Sequence, residues 1–180
     1  EADRRMSTLY TPDMRVPMVP VALSEGAGSI LPDQPRMTLT LSATLDDGDV
    51  VDWELFPSLV QTTTALIYGE VDEILRDGED RWLPELRALD AAADRLRDRR
   101  EAAGALVLER PELSVSVVKS EDGLSRVSVD VLPRSTPARR LVTEMMILCN
   151  VMLAKFCIDN DIPAAYRTQS PLDPGIDTEG

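Results

Sequence analysis

The chain has 180 residues, 43% hydrophobic and 28% charged, enough for one globular domain with its own core. Its 32 acidic against 19 basic residues give a net charge of −13, which opposes broad contact with nucleic-acid phosphates, because Lys and Arg make most such contacts. With no histidine, the chain holds no Ser-His-Asp or Cys-His nucleophile machinery and no His-ligated zinc site.

No run of eighteen apolar residues occurs, and Glu1-Ala2-Asp3-Arg4-Arg5 lacks the layout of a secretory signal, so no membrane segment is expected. Before Arg36, the prolines Pro12, Pro17, Pro20, Pro32 and Pro35 prevent a long helix and predict a loop. From Met37 the pattern turns to period two, with Met37, Leu39 and Leu41 on one face and Thr38, Thr40 and Ser42 on the other, as in a half-buried strand. Asp46-Asp47-Gly48-Asp49 supplies hairpin-turn chemistry, and residues 50–65 return as the antiparallel partner.

Residues 68–75 read as a short helix. After the Asp77-Gly78 break, residues 83–103 read as a longer one, with Leu86, Leu89, Ala93 and Leu96 at helical spacing. Alternation returns at 106–108 and 113–118, Glu121-Asp122-Gly123 turns the chain, and Val127, Val129 and Val131 make a second hairpin. Pro137 opens a last helix, 139 to about 159, with Leu141, Met145, Leu148, Met152 and Phe156 as its buried stripe and Pro163 as its stop. This order predicts a single α+β domain, a mostly antiparallel sheet with helices packed on it.

Cys149 and Cys157, eight apart on one helix, lie about 12 Å apart along its axis, too far for a disulfide, and are expected as buried thiols in a reducing, cytoplasmic setting. Asp46, Asp47 and Asp49 carry the hard oxygens that Mg²⁺ prefers, but their spacing favours a turn over a metal site. Asp159-Asn160-Asp161 reads as a polar helix terminus. Glu144 lies one turn after Arg140, so the plain expectation is a surface ion pair, and the functional one is an acceptor for a ribose hydroxyl. Tyr10, flanked by Pro12, is either a loop anchor or a stacking platform for an unpaired base. Trp53, Phe56, Trp82 and Phe156 fit core positions, and the Arg97, Arg99 and Arg100 cluster, interleaved with Asp94, Asp98 and Glu101, fits a solvated helix end.

The step to function comes from several segments taken together. Arg15-Val16-Pro17-Met18-Val19-Pro20, then Leu23-Ser24-Glu25-Gly26 and Ser29-Ile30-Leu31-Pro32, are followed by Ala65-Leu66-Ile67-Tyr68-Gly69-Glu70-Val71. Further on come Arg100 to Ala105, Arg110-Pro111-Glu112, Leu141-Val142-Thr143-Glu144-Met145-Met146-Ile147-Leu148-Cys149-Asn150 and Tyr166-Arg167-Thr168-Gln169. In that order they resemble the IPMLP, LS, CSL-P, LTY-x-x-V, R-x-x-x-GA, PE, LIEE-x-MILAN and YR-x-Q elements of the ribonuclease II/ribonuclease R catalytic domain.

That resemblance implies a 3′→5′ exoribonuclease that takes single-stranded RNA, not DNA, as a cytoplasmic monomer, and releases 5′-mononucleotides with Mg²⁺. It places Tyr10 on the tyrosine that stacks on the 3′-terminal base and Glu144 on a glutamate that contacts RNA. Leu108 falls where some members carry a second aromatic of the clamp. The family's aspartate cluster, its Mg²⁺ ligands, should precede Tyr10, and its SPIRRY-like segment should follow Gly180; neither string occurs among these residues. Residues 1–180 are therefore expected to be the central part of such a domain, inactive alone. A noncatalytic RNA- or protein-binding scaffold built on the same domain is the alternative, and a complete acidic structural protein is a third reading.

Overall fold

A computed structural model describes residues 2–12, 14–107, 112–119, 125–132 and 135–166. The described elements run α1 (Ala2–Arg5), β1 (Leu9–Tyr10), β2 (Arg15–Val16), a π-helical turn (Ala22–Ala27), β3 (Arg36–Asp46), β4 (Asp49–Val60), α2 (Tyr68–Asp77), α3 (Leu83–Ala102), β5 (Glu112–Lys119), β6 (Ser125–Leu132) and α4 (Pro137–Asp159). The α+β expectation holds, with one difference in layout. The strands form three separate antiparallel pairs, β1–β2, β3–β4 and β5–β6, and the helices pack on one another.

The β3–β4 turn follows from its sequence. Asp47 and Gly48 both have positive φ, 45° and 83°, the conformation that a two-residue hairpin loop requires and that Asp-Gly tolerates best. Pairing runs from Asp46↔Asp49 to Arg36↔Val60, with a register shift between Thr44 and Leu45. The alternation is as expected, but its burial is reversed at the start of β3. Met37 is 88% exposed and Leu39 is also open, while Thr38 and Thr40 turn inward and share hydrogen bonds with Ser58 at 2.7 and 2.6 Å. The half-buried hydroxyls satisfy one another, while Met37 and Leu39 on the apolar face stay exposed.

In the second hairpin, Leu113↔Val131, Val115↔Val129 and Val117↔Val127 stack as cross-strand pairs. Residues 106 and 107 are not strand, and the expected turn at Glu121-Asp122-Gly123 lies outside the described residues.

α2, α3 and α4 form the core. α2 starts at Ile67, whose N–H donates to Glu70 at 2.9 Å, and ends at Gly78 in the left-handed conformation. α4 is capped by Thr136 and carries Pro137 in its first turn, and the Ala138 N–H donates to Asp72 of α2 at 2.9 Å, joining the two helices where backbone donors would otherwise be unpaired. Leu86 and Ala93 of α3 are buried with Ala138, Leu141 and Met152 of α4. Burying a Leu or Met contributes about 1.5–3 kcal/mol. Met145, Leu148 and Phe156 are half-buried, Trp53, Phe56 and Trp82 likewise, and Leu89 is exposed.

Cys149 is exposed and Cys157 half-buried, both free, which corrects the expectation of two buried thiols. The reason is that α4 packs through one side only: Met146, Val151, Leu153 and Ile158 are also open. With a mean hydropathy of 1.8 over its most apolar window, α4 is long and apolar enough to cross a bilayer by composition alone, although the sequence showed no unbroken apolar run. Its packing on α2 and α3 and its buried ion pair make it the central helix of this core.

Candidate nucleic-acid interface

α3 and α4 are joined by two ion-pair groups one helical turn apart. Arg100, in the last turn of α3, donates from Nε to Glu144 Oε2 at 3.0 Å and from Nη2 to Oε1 at 2.5 Å. Glu144 is 3% exposed. These hydrogen bonds, the largest influence on the Arg100 guanidinium, raise its pKa further. Arg140, i−4 from Glu144, turns away to Asp90 at 2.7 Å and Asp94 at 2.9 Å. Its Nε lies close to Asp94 but off the hydrogen-bond direction, so that contact is Coulombic.

The expected Arg140–Glu144 surface pair is thus replaced by a buried cross-helix pair. Nothing in local spacing points to Arg100, 44 residues upstream; only the packing of α3 on α4 brings the two together.

The arginines at the end of α3 are likewise engaged. Arg99 pairs with Asp49, Arg95 lies 3.6 Å from Asp47, and Arg97 holds Glu101 at 2.7 Å. The expected solvated helix end is a clasp that seats the β3–β4 turn on α3. Gly48 is buried in it, where an added Cβ would meet Arg99 Cδ at 2.8 Å and Arg95 Cβ at 3.2 Å. Asp47 and Asp49 are accordingly turn and clasp residues, as the spacing favoured over a metal site. Among the described residues no group of three or more His, Cys, Asp or Glu could hold a metal ion, and the resemblance places the Mg²⁺ ligands upstream of this segment.

Tyr10 is presented differently. It lies at the end of β1, 72% exposed, paired in register with Arg15. Arg15 is ion-paired with Glu25 of the π-helical turn, and its guanidinium is raised in pKa by Glu25 first and by the Tyr10 hydroxyl to a smaller extent. The Thr11–Met14 turn and a 3.4 Å bond from Val117 N–H to the Pro12 carbonyl tie this loop to β5. The short β1–β2 pair was not anticipated, because two-residue strands carry no periodic signal. No hydrogen bond or ion pair joins Tyr10 to Glu144 among the described residues. Leu108 lies outside the described residues.

Two clefts lie against α4 and are lined mainly by apolar side chains. One of about 370 Å³ between α2 and α4 is lined by Leu66, Ile67, Tyr68, Val71, Leu86 and Leu141, among others. Another of about 560 Å³ on the open side of α4 includes Ile147, Val151, Leu153, Cys157 and Tyr166.

Residues 1–175 match the RNB domain, and the chain belongs to that family. Among its relatives, an uncharacterized ribonuclease of Synechocystis is 35% identical over 173 residues, covering 94% of this chain and 25% of that protein. Ribonuclease R of Thermotoga maritima is 31% identical over 181 residues, covering 97% of this chain and 25% of that protein. In three dimensions the chain is similar to Mycoplasma genitalium RNase R, with a TM-score of 0.77 at 23% identity, covering 89% of this chain and 26% of the other. The chain thus spans about a quarter of the relatives it matches.

Proposed function

We propose that this chain is the central part of the catalytic domain of a 3′→5′ exoribonuclease that hydrolyses single-stranded RNA to 5′-mononucleotides in the cytoplasm. The RNB match across residues 1–175 carries the reading. Related structures of the Mycoplasma genitalium enzyme with ribose-methylated single-stranded RNA and with double-stranded RNA support RNA as the ligand class.

In this reading Tyr10 stacks on an unpaired base near the 3′ end, which its open ring permits without rearrangement, and Glu144 accepts a hydrogen bond from a ribose hydroxyl. Leu108 stands in the position of a second clamp residue, where an aliphatic side chain supplies contact but no ring stacking. Stacking and sugar contacts are blind to base identity, so degradation is independent of sequence and selective for RNA over DNA. Mg²⁺ is held by carboxylates upstream of this segment, and the protein acts as a monomer.

The test uses the protein expressed from its full reading frame, with 5′-labelled and 3′-labelled single-stranded RNA. A descending ladder from the 5′ label, immediate release of mononucleotide from the 3′ label, and loss of both on chelation of divalent ions are expected. RNA bound but left intact in the presence of Mg²⁺ would mean a noncatalytic scaffold.

A further inference from the structure

We infer that Arg100 is a positioning residue for RNA recognition: its guanidinium fixes the Glu144 carboxylate in the orientation that meets a ribose hydroxyl. The inference rests on the reading of Glu144 given above and deepens it.

A glutamate side chain has three rotatable bonds, and a single hydrogen bond leaves its carboxylate free to swing. Here two parallel bonds, Nε to Oε2 at 3.0 Å and Nη2 to Oε1 at 2.5 Å, set both the position and the plane of the group. A carboxylate offers roughly four lone-pair sites, of which the guanidinium takes about two, so acceptor capacity remains for a hydroxyl. At 3% exposure Glu144 presents little surface, which a small sugar hydroxyl suits better than a base or a phosphate.

No other described cation serves Glu144. Arg140, its nearest basic neighbour along α4, is committed to Asp90 and Asp94. The adjacent Arg99 holds Asp49 of the hairpin turn, which ties the end of α3 that carries Arg100 to that turn. A buried ion pair is a poor source of net stability, since apolar residues of similar volume do as well or better, whereas it specifies one geometry. Arg100 also has two of its donor nitrogens committed and its charge matched, which argues against a direct phosphate contact.

The experiment again uses the full reading frame. Wild type, Arg100→Lys, Arg100→Gln, Glu144→Gln and the Arg100→Gln/Glu144→Gln double variant are compared on an all-ribose oligonucleotide and on copies with a single 2′-deoxy sugar at each of the last few positions. The quantity read is the ratio of kcat/KM between the two sugars. Wild type should prefer ribose at one position, and Arg100→Gln and Glu144→Gln should each lose about tenfold of that preference, the loss of one charge-assisted hydrogen bond. The double variant should lose no more than either single one, and Arg100→Lys, which keeps charge and most of the packing but not the fork, should fall between.

Retention of the preference in Arg100→Gln and Arg100→Lys while Glu144→Gln loses it would make Arg100 purely structural. Equal loss on both sugars with a shallower salt dependence would make it a phosphate contact, and either result overturns the inference. A Glu144→Gln variant that keeps the preference overturns the assignment of Glu144 and this inference with it. A wild-type protein that degrades no RNA refutes the functional reading instead, which the first lane alone reports.

Discussion

Tyr10 and Glu144 show how differently two residues of one proposed interface are built. Tyr10 is open, with little packing to lose, so Tyr10→Ala should leave the melting temperature nearly unchanged while weakening single-stranded RNA binding by about 1–3 kcal/mol in a fluorescence titration of the full-length protein. Equal losses of stability and affinity would instead make the ring a loop anchor. Glu144 behaves in the opposite way. Replacing Arg100 by Ala strands a carboxylate at 3% exposure, and the cost should lie near the lower end of the roughly 3–5 kcal/mol seen when a buried pair is broken, because the Arg100 side chain is itself 31% exposed. Urea unfolding of the two variants side by side separates these roles. The raised pKa of Arg100 means that the pair's contribution is fully present below the ordinary arginine value and is lost only as pH rises through the higher folded value.

The elements owe their existence to local sequence and their seating to a few polar clasps. The β3–β4 turn is the clearest case. Gly48 combines φ of +83° with Arg95 and Arg99 packed where a Cβ would stand. Gly48→Ala should therefore cost roughly 1–3 kcal/mol in thermal or urea unfolding, well beyond the effect of a substitution in an open turn. A change under 0.5 kcal/mol would show that the hairpin tip is not seated on α3. The same clasp engages the acidic turn: Asp47 and Asp49 face arginines from α3.

At the scale of the whole molecule, the accessible surface is 14042 Å², whereas a folded monomer of 19.8 kDa would expose about 8,600 Å². Large apolar side chains are among those exposed: Met37 and Leu59 on one hairpin, Val127, Val129 and Val131 on the other, Met146 and Val151 on α4. These faces call for covering partners, in keeping with a chain that spans about a quarter of its relatives. Expressed by itself, the 180-residue chain should bind a hydrophobic dye, melt over a broad range and leave RNA intact with Mg²⁺ present. A sharp cooperative transition with no dye binding would identify a self-sufficient domain.

What sequence alone determined is what depends on neighbours along the chain. The hairpin turn at Asp47-Gly48, the starts of α2, α3 and α4 near Tyr68, Leu83 and Pro137, and the stop before Pro163 follow from backbone preference and period, and collinear motifs sufficed to indicate the family. What only tertiary structure decided is which groups meet. Arg100 and Glu144 are 44 residues apart, and Arg99 and Asp49 belong to different elements, so no periodic signal links them. Which face of β3 is buried was equally undetermined, because alternation defines two faces while burial depends on what another part of the protein lays against one of them.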